Sequence, residues 1–268
     1  MILKRYHNRI ETELARILDD TELAPILEKS MRYALLNGGK RIRPSLTLAI
    51  CEMLGGDAEQ ALPFACALEM IHCYSLVHDD LPAMDDDAFR RGKPSVHKQF
   101  GEGNAILAGD GLLTAAALVL CRQSGYDSAK SIIMHAALEM ASGQSYDLNE
   151  IDRTEEQLDL LNRQKTGALF SAAFCTGAHL SGRSDLADRF WETGQDVGLL
   201  FQMTDDILDA QNDYCEHKFT YVTFYGEDVT HSLIREIEER ILAVLSQFNN
   251  ELSNEISALI KEISGRTQ

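Results

Sequence analysis

Five aspartates fall within nine residues in the stretch Asp79 to Arg91, DDLPAMDDDAFRR, and two arginines close it. A run of like charge is ordinarily a solvated face. This one ends a nearly unbroken apolar segment, 61–77, interrupted mainly by Glu69 and His72. A helix that apolar is buried, so the acids gather at the mouth of an interior. Carboxylates crowded there repel one another unless cations sit among them. A second acidic group, Asp205, Asp206 and Asp209 in FQMTDDILD, closes another apolar pattern. Asp205 and Asp209 are spaced i, i+4 and share one helix face. Two such groups, both built of hard oxygen donors, predict Mg²⁺ held by one or two carboxylates together with substrate phosphates.

Asp79 and Asp85 are six residues apart. On a regular helix that separates them by about 120°. Their convergence requires a distortion of the helix, for which Pro82 is the natural cause. Asp86 lies nearer the Asp79 face by strict period and stays a rival to Asp85. The counterpart of the acids is the turn Gly38-Gly39-Lys40-Arg41-Ile42-Arg43-Pro44. Its glycines permit a sharp bend and close backbone approach. Pro44 suits the first turn of a following helix. Three cations beside a helix N-terminus make a site for a multiply charged anion.

The elements that must position these groups read as helices nearly throughout. Leu62, Cys66, Met70, Cys73 and Val77 form one apolar stripe, and Leu199, Met203 and Ile207 another. Helices are predicted at 45–54, 61–80, 103–121, 129–148, 154–163, 166–180, 185–210, 229–247 and 251–263, with two more in the first 37 residues. Glycines at 38–39, 55–56, 125, 182 and 226 mark stops and turns. Only Phe219 to Tyr225, FTYVTFY, is rich in strand formers, and one run cannot make a sheet, so it is assigned to a loop and the start of a helix. No linker or short repeat divides the chain, and residues 1–268 read as a single all-α domain, a helix bundle gripping ligands between facing helices.

Composition narrows the partners. A formal net charge of −17 argues against nucleic acid, but not against an anionic substrate collected by a local basic patch. Asp110 interrupts the longest apolar run, so no membrane span is expected, and the N-terminal stretch lacks the features of a signal peptide. The six cysteines include no CxxC pair, which predicts buried thiols in a reducing cytoplasm.

The motifs GGKRIRP, DDLPAMDDDAFRRG, RQKTGALF and FQMTDDILD, in this order, resemble those of the trans-isoprenyl diphosphate synthases, and most closely the bacterial farnesyl diphosphate synthase type. HKQFGEGNAILAGDGLL and GQSYDL extend the similarity over essentially the whole chain. The resemblance implies an orthogonal α-helical bundle of the isoprenoid synthase type around an apolar cavity. It implies Mg²⁺, three ions with the substrate diphosphate, and a homodimer. The implied reaction condenses isopentenyl diphosphate with dimethylallyl or geranyl diphosphate. Carried over by position, Asp79, Asp85 and Asp205 resemble metal ligands, with Asp206 and Asp209 assisting, the latter through water. Lys40, Arg43, His72 and Arg91 resemble the isopentenyl diphosphate site. Arg90 and Lys165 resemble the cations on the allylic diphosphate, with Lys218 a looser match, and Thr166 and Gln202 resemble groups facing the developing cation. Tyr74, five residues before Asp79, resembles the aromatic that limits short-chain products, whereas Ser75 is too small to block; this implies farnesyl diphosphate, with geranyl or geranylgeranyl diphosphate as alternatives. The family's Gly-Lys-x-x-Gly-x-Asp loop after the second aspartate group is missing, only AQNDYCEHKF separating Asp209 from Thr220, and the segment between Asp110 and Gln144 is short. Those gaps favour, as the alternative, a weakly active or non-catalytic subunit that modulates a partner.

Overall fold

A computed structural model describes residues 1–20, 22–149, 153–210 and 218–266. Among them the chain is almost wholly helical. The helices α1 (Ile2–Asp19), α2 (Pro25–Leu35), α3 (Ile42–Met53) and α4 (Ala58–Asp79) lead to a two-stranded hairpin, β1 (Phe89–Arg90) and β2 (Lys93–Pro94). Then follow α5 (Val96–Phe100), α6 (Glu102–Arg122), α7 (Asp127–Leu148) and α8 (Glu155–Asn162). A π-helical turn, Arg163–Gly167, runs directly into α9 (Ala168–Leu180), and α10 is Ala187–Leu208. The chain closes with α11 (Tyr221–Tyr225), α12 (Glu227–Leu245) and α13 (Glu251–Ser264). The predicted helices lie within a few residues of these.

The centre of the bundle is α9. Every one of its residues except His179 is buried, because alanine, serine and glycine alternate with Phe170 and Phe174 around the whole circumference. It packs against α3, α4, α7 and α10. In α3 only Arg43 and Glu52 escape full burial. By length and composition alone α4 and α6 are both apolar enough to cross a bilayer, because one aspartate in α6 is outweighed by its alanines and leucines, but neither is a clear membrane span. In the fold, 67% of the α4 window is buried as a core helix. The inner face of α6 packs on α4, while its outer face exposes Ile106, Leu107 and Leu118.

FTYVTFY runs from a loop at Phe219 and Thr220 into a helix that is only five residues long. Thr220 caps it reciprocally with Thr223, and Gly226 (φ 82°) breaks it from α12. The hairpin escaped the sequence reading. Arg91 and Gly92 form its two-residue turn, both left-handed at φ 53° and 75°, the geometry that suits the twist of paired strands.

Candidate active site

Helix α4 ends at Asp79 rather than continuing in distorted form. Beyond it the chain folds back, and the Asp85 amide donates to the Asp79 carbonyl (3.0 Å) while the Asp86 amide donates to Leu81 (3.1 Å). A turn after Pro82, not a kinked helix, therefore brings Asp85 beside Asp79. Asp86 adopts φ 50° and lies 3.2 Å from Lys98 Nζ and 3.6 Å from His97 Nε2, both on α5. Burial pushes the Asp79 carboxyl up to about 6; Lys165 opposes the rise and Asp85 adds to it. Asp80 is buried and receives two hydrogen bonds from Arg90, one from Nε at 2.8 Å, and Arg90 also reaches Asp87 at 2.9 Å. In this state Arg90 braces the acidic loop from beside Asp79.

Lys165 and Thr166 sit on the π-helical turn. Such turns are rare and recur at functional sites. Lys165 Nζ pairs with Asp147 near the end of α7. Thr166 donates to Gln202 Oε1 (3.1 Å), Gln202 Nε2 donates to Asp206 Oδ1 (2.8 Å), and Asp206 Oδ2 accepts from the Tyr221 amide (2.9 Å). Asp206 is thus buried as an anchor for Gln202 and α11, while Asp205, one position earlier, faces the mouth. Asp209 is exposed at the end of α10, its amide on the Asp205 carbonyl at 2.9 Å. Burial raises the Asp205 carboxyl; Arg266 opposes this, and Lys40 and Arg43 also lower it.

The basic turn splits into two roles. Arg41 is left-handed (φ 52°) and its side chain is fully buried, donating to Glu11 (2.6 Å), Glu69 (2.8 Å) and the Leu35 carbonyl (2.6 Å). It ties α1, α2 and α4 together and takes no part in an anion site. Arg43 lies on the Phe170 ring (4.2 Å) with Nη1 3.4 Å from His72 Nε2 and a buried Nε that has no partner. Burial lowers Arg43 to about 10 and, with Arg43 and Arg91 nearby, holds His72 well below its ordinary value, so the imidazole is neutral. The Arg91 guanidinium packs on Gly39, where a Cβ would lie 2.8 Å from it, and donates to the Gly38 carbonyl. Lys40 stands exposed at the rim.

Below these groups lies a cavity of about 250 Å³, lined by Arg43, His72, Tyr74, Ser75, Asp79, Met140, Gln144, Lys165, Thr166 and Leu169. It joins Asp79, Lys165 and Arg43 to an apolar wall. The Tyr74 ring meets His78 edge-on at 5.8 Å, and His78 Nε2 donates to the Ile106 carbonyl at 3.1 Å. The Ser75 hydroxyl is turned to the His72 carbonyl (2.9 Å). Lys218 is exposed, its carbonyl accepting from Thr223 (2.7 Å); the rest of the shortened segment, 211–217 with Cys215, lies outside the described residues.

Among the described residues no three carboxylates, imidazoles or thiolates converge into a self-sufficient metal site. The donors nevertheless fit Mg²⁺. Exposed Asp85 crowds negative charge against half-buried Asp79, and burial strains Asp79 towards its neutral form. A hard cation completed by oxygens of an anionic ligand would relieve both. Sequence reasoning missed Arg266. Its Nη1 is 3.2 Å from Asp205, its guanidinium lies 4.5 Å from the centre of the Phe201 ring, and its Nη2 is buried without a partner.

Residues 24–232 match the model of the polyprenyl synthetase family. A geranylgeranyl diphosphate synthase of Cyanophora paradoxa is 43% identical over 240 residues, 80% of each chain. A farnesyl diphosphate synthase of Geobacillus stearothermophilus is 40% identical over 221 residues, 78% of this chain and 74% of its own. Among solved structures, a geranyltransferase from Legionella pneumophila superposes with a TM-score of 0.90 at 33% identity, covering 99% of this chain and 96% of its own.

Proposed function

The chain belongs to the polyprenyl synthetase family, the trans-isoprenyl diphosphate synthases, and we propose that this short-chain prenyltransferase joins isopentenyl diphosphate to dimethylallyl or geranyl diphosphate to give farnesyl diphosphate and pyrophosphate. The observation that carries the product is Tyr74, whose ring stands in the wall of a 250 Å³ cavity beneath the aspartates. That volume is below the usual range of ligand pockets, roughly 300–1,000 Å³.

Mg²⁺, when held by Asp79, Asp85, Asp205 and, through water, Asp209, supplies charge neutralisation for the departing diphosphate. The chain's own groups do the remainder. Lys165, already close to Asp79, would transfer from Asp147 to the allylic diphosphate and take up the charge it gains on leaving. Arg90 and Lys218 would add cationic character on that side. Because Asp206 accepts from Gln202 Nε2, Gln202 Oε1 is turned to Thr166, and the two oxygens present lone pairs to a developing allylic cation. Lys40, Arg43 and Arg91 would hold the isopentenyl diphosphate, with His72 as a neutral hydrogen-bonding partner. The apolar wall of Tyr74, Met140 and Leu169 excludes water from the cation until the new carbon–carbon bond forms and a proton is lost.

Two exposed stripes, Leu107 and Leu118 on α6 with Met134 and Leu138 on α7, support a homodimer in which this face is covered. A second reading of the product, geranylgeranyl diphosphate, is favoured by the Cyanophora paradoxa relative. Incubation with Mg²⁺, isopentenyl diphosphate and each of dimethylallyl, geranyl and farnesyl diphosphate, followed by separation of the dephosphorylated products, tests both. Farnesol as the end product of the wild type, lengthened in Tyr74→Ala, supports the first. A C20 product from the wild type, unchanged in the variant, overturns it in favour of the second, and no product at all points to the modulating subunit.

A further inference from the structure

The π-helical turn that carries Lys165 and Thr166 is confined by backbone on two sides. A Cβ at Gly143 of α7 would stand 2.2 Å from the Lys165 nitrogen and 2.6 Å from its Cα. A Cβ at Gly198 of α10 would stand 2.4 Å from Gly167 Cα and 2.8 Å from its nitrogen. Each flanking helix then offers a polar side chain one turn further on. Asp147, four residues after Gly143, pairs with Lys165. Gln202, four residues after Gly198, accepts from Thr166 at 3.1 Å. The same spacing, glycine then a polar partner at i+4, therefore recurs on both sides of one turn.

We propose that Gly143 and Gly198 are positioning residues for the reaction: they seat the turn's backbone so that two consecutive side chains, Lys165 and Thr166, reach opposite flanking helices while both still line the cavity. This rests on the reading of Lys165 and Thr166 as the allylic pair. A glycine inside a helix costs about 1 kcal/mol relative to alanine. Gly143 and Gly198 both lie inside long helices, and the close approach accounts for them. An alanine at either position must displace the turn by about 1 Å to restore ordinary contact, and a misplacement of that size costs on the order of 100-fold in rate.

The control is built into the fold. Gly194, one turn before Gly198 on α10, would bring a Cβ 2.3 Å from Ser171 Cα, an equal overlap but outside the turn. Steady-state kinetics with each substrate varied, and melting curves, should be measured for the wild type, Gly143→Ala, Gly198→Ala and Gly194→Ala. The expected result is a roughly 100-fold fall in kcat with a raised KM for geranyl diphosphate in Gly143→Ala and Gly198→Ala, while the KM for isopentenyl diphosphate stays within about twofold. Gly194→Ala should lose a comparable number of degrees in Tm but keep kcat within about threefold. Equal kinetic losses in all three variants, or unchanged kcat in the first two, overturn the proposal with the allylic reading intact. A wild type without turnover overturns that reading and the proposal with it. Should the alanine variants fail to fold, deletion of Gln164 removes one residue from the turn and returns it to α-helical spacing; folded protein that keeps kcat then overturns the proposal.

Discussion

Asp79→Asn should make the metal-free protein more stable while removing its activity. Burial raises the Asp79 carboxyl from an ordinary 3.8 to about 6. At about 1.36 kcal/mol per pH unit, a shift of roughly 2 units corresponds to about 3 kcal/mol, or about 2 kcal/mol after allowance for residual solvent contact. The sign follows from linkage. A carboxyl raised in the folded state is ionised in both states above pH 6, so the folded protein carries the whole penalty there. As pH falls through 6, folding takes up a proton and the penalty shrinks, to about a third at pH 4.5. Asparagine keeps the shape and discards the charge. At pH 7.5 in EDTA, Asp79→Asn should melt about 4–8 °C above the wild type, since about 1 kcal/mol moves Tm by roughly 2–4 °C in a protein of this size. At pH 4.5 the gap should close to about 1–3 °C. Added Mg²⁺ should raise the wild-type Tm more than that of the variant. Equal or lower Tm for the variant at pH 7.5 would refute the assignment of Asp79 as a strained carboxylate kept for its ligand.

Arg41→Ala should lose about 3–5 kcal/mol of stability in denaturant titrations, because Glu69 is left buried without its cation. Arg43→Ala, by contrast, should chiefly raise the KM for isopentenyl diphosphate in steady-state kinetics. Lys165→Ala should lower kcat and weaken the allylic substrate, and equal effects of both changes on both substrates would contradict two separate sites. Arg266→Gln should tighten metal binding in the absence of substrate, read with Mn²⁺ by calorimetry or magnetic resonance, because the guanidinium no longer competes for Asp205; unchanged affinity would show that the pair does not guard the carboxylate.

The long helices were legible because each obeys one of two simple rules. Amphipathic α1 and α13 show the 3.6-residue period, and wholly buried α9 shows continuous apolarity bounded by a turn. The convergence of Asp79 with Asp85 was foreseen, but its cause was not. Periodicity describes only a helix, and the chain had already left the helix at Asp80. Arg41 and Arg43 look alike in GGKRIRP. What separates them is the left-handed backbone at Arg41 and the buried acids Glu11 and Glu69 contributed by other helices, which local spacing does not reveal. Arg266 carries no motif at all and is placed by the packing of α13. Gly143 and Gly198 did leave a trace, each a glycine inside an otherwise good helix four residues before a polar side chain, but the trace becomes meaningful only when the backbone they admit is seen.

Several acids of the mouth already face a cation of their own chain. Asp80 is held by Arg90, Asp147 by Lys165 and Asp205 by Arg266, with Lys165 also bearing on Asp79. A chain of net charge −17 thereby keeps two acidic clusters beside an apolar cavity without unfolding around them. The arrangement sets the energetics of loading. On the proposed function, a cation arriving with a diphosphate would introduce opposite charges together, and Asp205 and Asp79 would hold the metal while Lys165 and Arg90 turned to phosphate. Partners would then be exchanged rather than lost at Asp80, Asp147 and Asp205, which would keep the cost of entry low in a site of reduced dielectric. A diphosphate without a cation, or a cation without a diphosphate, breaks pairs on one side only and should bind far more weakly than the two together.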